Sequence, residues 1–234
     1  TTTIGGASND SGYGVAVDGS GNVYTTGYFA GTVNFGAGNV TSNGSLDVFV
    51  TKHNSAGAHQ WTTTFGGASG DRGRSVAVDG SGNVYTTGYF SNTVNFGAGN
   101  VTSAGNNDVF VTKLNSSGAH QWTTTYGHNE ATNDIGYEVT VDGSGNVYVT
   151  GIFAGTVDFG AGDVTSAGNG DVFVTKLNSS GAHQWTTTIG GASTDSGYGV
   201  AVDGSGNVYT TGYFEGTVNF GAGNVTSAGN NDVF

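Results

Sequence analysis

Four Asp-Gly-Ser-Gly-Asn loops, beginning at Asp18, Asp79, Asp142 and Asp203, place oxygen side chains at alternate positions, as the opening of a calcium loop does. A calcium loop needs a Gly at its sixth position and further carboxylates beyond it. Here the sixth position is Val23 and a strand-like run follows. The other reading is a turn in which Asp and Asn hydrogen-bond to the backbone and Gly supplies a positive φ. That reading asks less of the residues, so no metal ligand is assigned and no cofactor is expected. A second set, S/T-x-D-x-G, puts Asp10, Asp71, Asp134 and Asp195 where one repeat passes to the next. A ring of these Asp would hold a cation or the hydroxyls of a sugar, with Tyr13, Tyr137 and Tyr198 close by in sequence. Arg74 stands where the other copies have that Tyr, so the four sites are not equivalent. Again the alternative is a side-chain-capped turn.

Catalysis is poorly served. His59, His120 and His183 recur beside Trp61, Trp122 and Trp185, one per repeat. Packed sheets stand on the order of 10 Å apart, too far for shared coordination. A hydrolytic site needs a nucleophile, a base and an orienting group that converge, and periodic decoration supplies identical groups and no unique triad. Paired carboxylates for glycoside chemistry, about 5–9 Å apart, have one candidate locus, at Glu130, Asp134 and Glu138. No catalytic residue is assigned and the chain is not expected to be an enzyme.

The elements that position these groups follow from composition and repetition. Of 234 residues 45 are Gly, and Pro, Cys and Met are absent. Lys and Arg total 5 against 17 Asp and Glu, a net charge of −12. A chain without Cys has no disulfide framework or thiolate metal site. So few cations leave nothing to track a nucleic-acid backbone. No apolar run is long enough to span a membrane as a helix. DGSGNVY recurs at separations of 61, 63 and 61 residues, and DVF begins at Asp47, Asp108, Asp171 and Asp232. Residues 1–234 therefore read as a single repeat region. Its units run approximately 1–60, 61–121, 122–184 and 185–234, the last incomplete.

Each unit holds four runs rich in Val, Thr and aromatic residues, in the first unit Tyr13–Asp18, Asn22–Phe29, Asp47–Asn54 and His59–Gly66. Val33, Phe35 and Val40, in the long link between the second and third runs, predict a hairpin extension. No window carries a helical apolar period. The fold class expected is all-β, a β-propeller built from four-stranded antiparallel blades of about 61 residues. A β-solenoid is the rival, but its coils are usually much shorter. Residues Thr1 to Gly6 match the sequence after a Trp, and Phe234 falls inside a third run. Two arrangements follow: a segment of a longer propeller or array, or a nearly complete four-bladed ring in which TTTIGG completes the last blade.

DGSGNVYTTGYF, DVFVTKLNSSG and HQW with TTTxGG resemble the SBBP-type bacterial and archaeal β-propeller repeat. The resemblance covers essentially the whole chain. It implies a secreted or cell-surface propeller, often within larger proteins, and no activity or catalytic residues for the repeat. The expected role is a non-catalytic extracellular scaffold, structural or adhesive. The alternative is a lectin-like module, and a polysaccharide-active enzyme comes third. Partners would be other surface proteins, copies of itself or extracellular glycans. Asn-x-Ser/Thr sequons at Asn9, Asn39, Asn43, Asn100, Asn115, Asn178 and Asn224 are a weak surface hint.

Overall fold

The computed structural model describes residues 1–128 and 132–234. The first repeat runs β1 (Ser11–Val17), β2 (Val23–Phe29), a ribbon of β3 (Thr32–Asn34) and β4 (Asn39–Thr41), then β5 (Asp47–His53) and β6 (His59–Phe65). β1, β2, β5 and β6 form one antiparallel sheet in that order, and the ribbon pairs Val33 with Val40. The second repeat supplies β7 (Arg72–Val78), β8 (Val84–Phe90), β9 (Thr93–Asn95), β10 (Asn100–Thr102), β11 (Asp108–Leu114) and β12 (His120–Tyr126). The third supplies β13 (Ile135–Val141), β14 (Val147–Phe153), β15 (Thr156–Asp158), β16 (Asp163–Thr165), β17 (Asp171–Leu177) and β18 (His183–Ile189). In the fourth, β19 (Ser196–Val202), β20 (Val208–Asn219) and β21 (Asn224–Val233) form a three-stranded sheet. These four sheets are blades 1 to 4.

Local chemistry explains the turns and packing explains the order. At the first hairpin, Asp18 Oδ1 accepts from the Ser20 and Asn22 amides and Gly21 takes φ +77°, so the link is an Asp-capped turn. The first strands of successive blades lie side by side, β1 against β7, β7 against β13 and β13 against β19, and form the inner rim. Apolar clusters fill each seam. Tyr24, Val48, Val50 and Phe65 of blade 1 pack with Val76, Phe90, Phe96 and Phe110 of blade 2, and the seams between blades 2 and 3 and between 3 and 4 repeat this. β5 is therefore apolar on both faces, since both are covered. Each fully buried Phe or Val contributes about 1.5–3 kcal/mol. The ribbon completes the seam: Phe96 lies 5.6 Å from Phe65 of the preceding blade and 5.3 Å from Phe90 and Phe110 of its own.

The four blades make an open arc. Val15 on β1 is 66% exposed, whereas its equivalent Val76 is 5% exposed against blade 1. At the other end Tyr209 is 59% exposed, whereas its equivalent Tyr24 is fully covered by blade 2. Residues Thr1 to Gly6 join no sheet; Ile4 packs on Phe29, Val33, Phe35 and Phe49 of blade 1. A ring in which TTTIGG completes the last blade is thus not the arrangement found.

Candidate functional site

On the inner rim, every first strand carries a β-bulge at the same place. Gly12 pairs with Gly27 and Gly14 with Thr26, leaving Tyr13 as the extra residue. The same shift isolates Arg74 in β7, Tyr137 in β13 and Tyr198 in β19. A bulge re-aims the side chain it frees, and here it turns one large side chain per blade toward its neighbours along the rim. Arg74 lies 4.6 Å over the Tyr13 ring and 5.8 Å from that of Tyr137. Tyr137 and Tyr198 meet edge-to-face at 4.9 Å.

Second-strand residues extend the row. Tyr13 contacts Tyr28 at 5.8 Å and Tyr198 contacts Tyr213 at 5.7 Å. Arg72 lies 4.9 Å over Tyr28 and 5.9 Å from Tyr89. The result is a band of tyrosines with two guanidinium groups set into it. Desolvation raises the hydroxyl pKa of Tyr89, Tyr137 and Tyr198, so these rings stay neutral. The buried Nε atoms of Arg72 and Arg74 have no hydrogen-bond partner among the described residues. The neighbouring Glu138 accepts instead from the Ser75 hydroxyl at 3.1 Å, and burial raises its carboxyl pKa. Cation and ring therefore lie together, an arrangement that stacks on planar or ring-shaped ligands and holds anionic groups.

The Asp residues assigned from sequence do different work. Asp71, Asp134 and Asp195 are buried. Asp71 accepts from the Gly67 amide at Oδ2 and the Ser91 amide at Oδ1, both at 2.9 Å. Asp195 repeats this with Gly191 and Glu215, and Asp10 with Gly6 and Ala30. Each ties the blade-to-blade turn to the exit of the second strand, as a capped turn does. At Asp134 the Ala154 amide reaches Oδ1, and His128 Nδ1 lies 3.3 Å from Oδ2. Burial pushes the carboxyls of Asp71 and Asp134 up to about 6 against the pull of these bonds. Of the sequence-assigned set, then, Tyr13, Tyr137 and Tyr198 come together on the rim, and the four Asp do not line it.

The remaining candidates also resolve. Asp18 Oδ2 accepts from Asn22 Nδ2 and the Tyr24 hydroxyl, so both oxygens are engaged within the hairpin. That network, led by the Asn22 side chain, lowers the Asp18 pKa to about 2. His59, His120 and His183 each place Nε2 2.9–3.0 Å from a Thr hydroxyl of their own strand. Glu130 lies outside the described residues, and Asp134 and Glu138 are bonded to separate partners. Lys52, Lys113 and Lys176 lie over the rings of Tyr24, Tyr85 and Tyr148. With Arg72 and Arg74, all five cationic side chains of the chain rest on tyrosine rings. Sequence reasoning missed Arg72, Tyr28, Tyr89 and Tyr213, whose place on the rim depends on how neighbouring blades sit side by side.

No helix among the described residues is long and apolar enough to cross a membrane. The chain is similar to an uncharacterized WD repeat-containing protein of Acanthamoeba polyphaga mimivirus, 27% identical over 197 residues. That match covers 72% of this chain and 14% of the viral protein, so the chain spans a small part of that relative's length. The SBBP β-propeller repeat matches four times, at residues 1–28, 60–89, 121–151 and 184–213, together more than half of the chain. Each match covers the bulged first strand and at least half of the second strand, and the chain belongs to the SBBP β-propeller repeat family.

Proposed function

We propose that this propeller scaffold is non-catalytic, works outside the cell or on its surface, and adheres to saccharides through its inner rim. The observation that carries the reading is the bulged row Tyr13, Arg74, Tyr137 and Tyr198, in which phenol rings flank a guanidinium that has no carboxylate partner among the described residues. Tyrosine faces stack on sugar rings, and the fork of Arg72 and Arg74 suits a carboxylate-bearing sugar. Several such contacts on one rigid rim give repeated weak binding an avidity that none has alone.

An array of neutral and acidic glycans tests this directly. Binding is expected to favour acidic sugars, and Arg74→Ala is expected to weaken it about tenfold, a change of ~1.4 kcal/mol. Loss of Tyr137 in a Tyr137→Ala variant is expected to weaken neutral and acidic ligands alike. Silence across the array overturns the saccharide reading. Labelling of intact cells with a membrane-impermeant amine reagent tests the location; a chain that is labelled only after lysis overturns it.

A further inference from the structure

The Asn-x-Ser/Thr sequons fall into two structural groups. Asn39, Asn100 and Asn224 hold one position, just past the turn of a ribbon hairpin, where they open β4, β10 and β21. These three Asn and the Thr that complete their sequons, Thr41, Thr102 and Thr226, are exposed. The residues before them, Gly38, Gly99 and Gly223, take φ of +118°, +119° and +120°. A Cβ on any of these glycines would meet nothing within 4 Å, so the space beside each Asn is open. A different residue holds the turn. Asn34 Oδ1 accepts from the Gly36 and Gly38 amides, and Asn95 Oδ1 from those of Gly97 and Gly99. The carboxamides of Asn39, Asn100 and Asn224 are left with no hydrogen bond among the described residues.

The other four sequons are fastened down. Asn115 Oδ1 accepts from the Ser117 amide at 3.0 Å, the Ser117 hydroxyl at 2.8 Å and the Ala119 amide at 3.0 Å. The central residue, Ser116, gives its carbonyl to the Trp61 indole of the preceding blade at 3.1 Å. Gly118 O accepts from the Thr63 hydroxyl, and a Cβ on Gly118 would fall 2.7 Å from the Trp61 ring. Asn178 repeats this with Ser180 and Ala182, and both Trp122 Nε1 and Lys113 Nζ donate to Ser179 O. Asn43 Nδ2 donates to Gly66 O at 3.2 Å, and its amide donates to Asp47 Oδ2. At Asn9 the central residue is Asp10, whose carboxylate accepts from the Gly6 and Ala30 amides.

We propose that Asn39, Asn100 and Asn224 are acceptor sites for N-linked glycans. The co-reactant is an oligosaccharide carried on a lipid pyrophosphate. Asn Nδ2 attacks the anomeric carbon, and the new C–N bond forms as the anomeric C–O bond breaks. The lipid pyrophosphate leaves with the electron pair, and the amide proton passes to a base of the transferase. The third ribbon is a built-in control, because Asp163 and Asp158 stand where the other ribbons have the acceptor Asn and the turn-holding Asn. Asp158 Oδ1 still accepts from the Gly160 and Gly162 amides, so the hairpin keeps its shape without an acceptor. The modification fits the extracellular location proposed above, and the sorting of the sequons follows from the fold alone.

The test uses the folded chain, a purified oligosaccharyltransferase that reads Asn-x-Ser/Thr, and a short lipid-pyrophosphate-linked oligosaccharide as donor. Peptide mass spectrometry reads the occupancy of each Asn, and a synthetic peptide for each sequon sets its rate without the fold. Asn39, Asn100 and Asn224 are expected to be modified in the folded chain at rates close to those of their peptides. Asn115 and Asn178 are expected to fall about tenfold or more below theirs, equivalent to ~1.4 kcal/mol spent on freeing the sequon. Asp163→Asn, at an exposed position, is expected to add a site in the third unit. Peptides that are modified while the ribbon Asn of the folded chain are not would overturn the proposal. So would Asn115 and Asn178 modified as fast in the fold as in their peptides, or an Asp163→Asn chain that gains no glycan.

Discussion

Buried carboxylates fasten the blade junctions and also make them sensitive to pH. Desolvation holds Asp71 and Asp134 near 6 in the folded chain, above the value of about 3.8 for an exposed Asp. Between those values the folded state binds more protons than the unfolded one, so stability falls as pH rises through that window. Asp18 has the opposite sign, since its pKa is lowered to about 2 and its contribution is lost only as pH falls below the ordinary carboxylate range. In urea denaturation wild type is therefore expected to lose more stability, or gain less, between pH 5 and pH 7 than Asp71→Asn, a comparison in which the opposite contribution of His53 and His120, whose pKa values burial lowers, cancels. The same pH dependence in both proteins would contradict the assignment. The burial was not legible in the sequence. Ser69-Gly70-Asp71 reads as a surface turn, and only the β2–β5-type exit of the neighbouring strands, with the Ser91 amide above it, encloses the carboxylate. The hairpin role of Asp18 was legible, because all of its partners lie within six residues.

The first strand and the ribbon show how position in the array decides what one residue does. Gly73→Ala forces a methyl into Thr26 and is expected to cost roughly 1–3 kcal/mol, as overpacking does. Gly12→Ala, at the equivalent place with nothing opposite, is expected to stay within about 0.5 kcal/mol in dilute solution. Equal effects in thermal melts would refute the arc's polarity. Phe96, which latches the ribbon over the seam, is expected to cost about 3–5 kcal/mol on replacement by Ala; denaturant titration measures it. The strands follow from local composition, and their observed limits differ from the sequence reading by one or two residues. Val33, Phe35 and Val40 also announced the ribbon, because their alternation is local. The bulges did not show: a register shift is a relation between two strands, and Tyr13 differs from a regular strand residue only in what its partner strand skips.

At the scale of the chain, stability is a sum of blades and seams, each blade touching its neighbours. Blades 2 and 3 have both faces covered, whereas the three strands β19 to β21 of blade 4 are covered on one. Hydrogen exchange is expected to be slowest in β8, β11, β14 and β17 and fastest in β19 to β21; uniform protection would mean that the arc unfolds as one unit. The repeat and the blade were legible from the spacing of DGSGNVY, whereas the open ends required knowing how far each blade turns from the last. The sameness of the seams has a further consequence for how the chain finds its fold. Every HQWTTT segment is an acceptable partner for every DVFV segment, so a nascent chain meets counterfeit pairings, distinguished only by the length of loop they close. Proximity along the chain does the proofreading, since skipping a unit costs extra closure entropy and strands a blade outside the array. Departures from the repeat, among them Arg72 and Arg74, the longer third unit and Ile152 in place of a Tyr, are where one blade differs from the next.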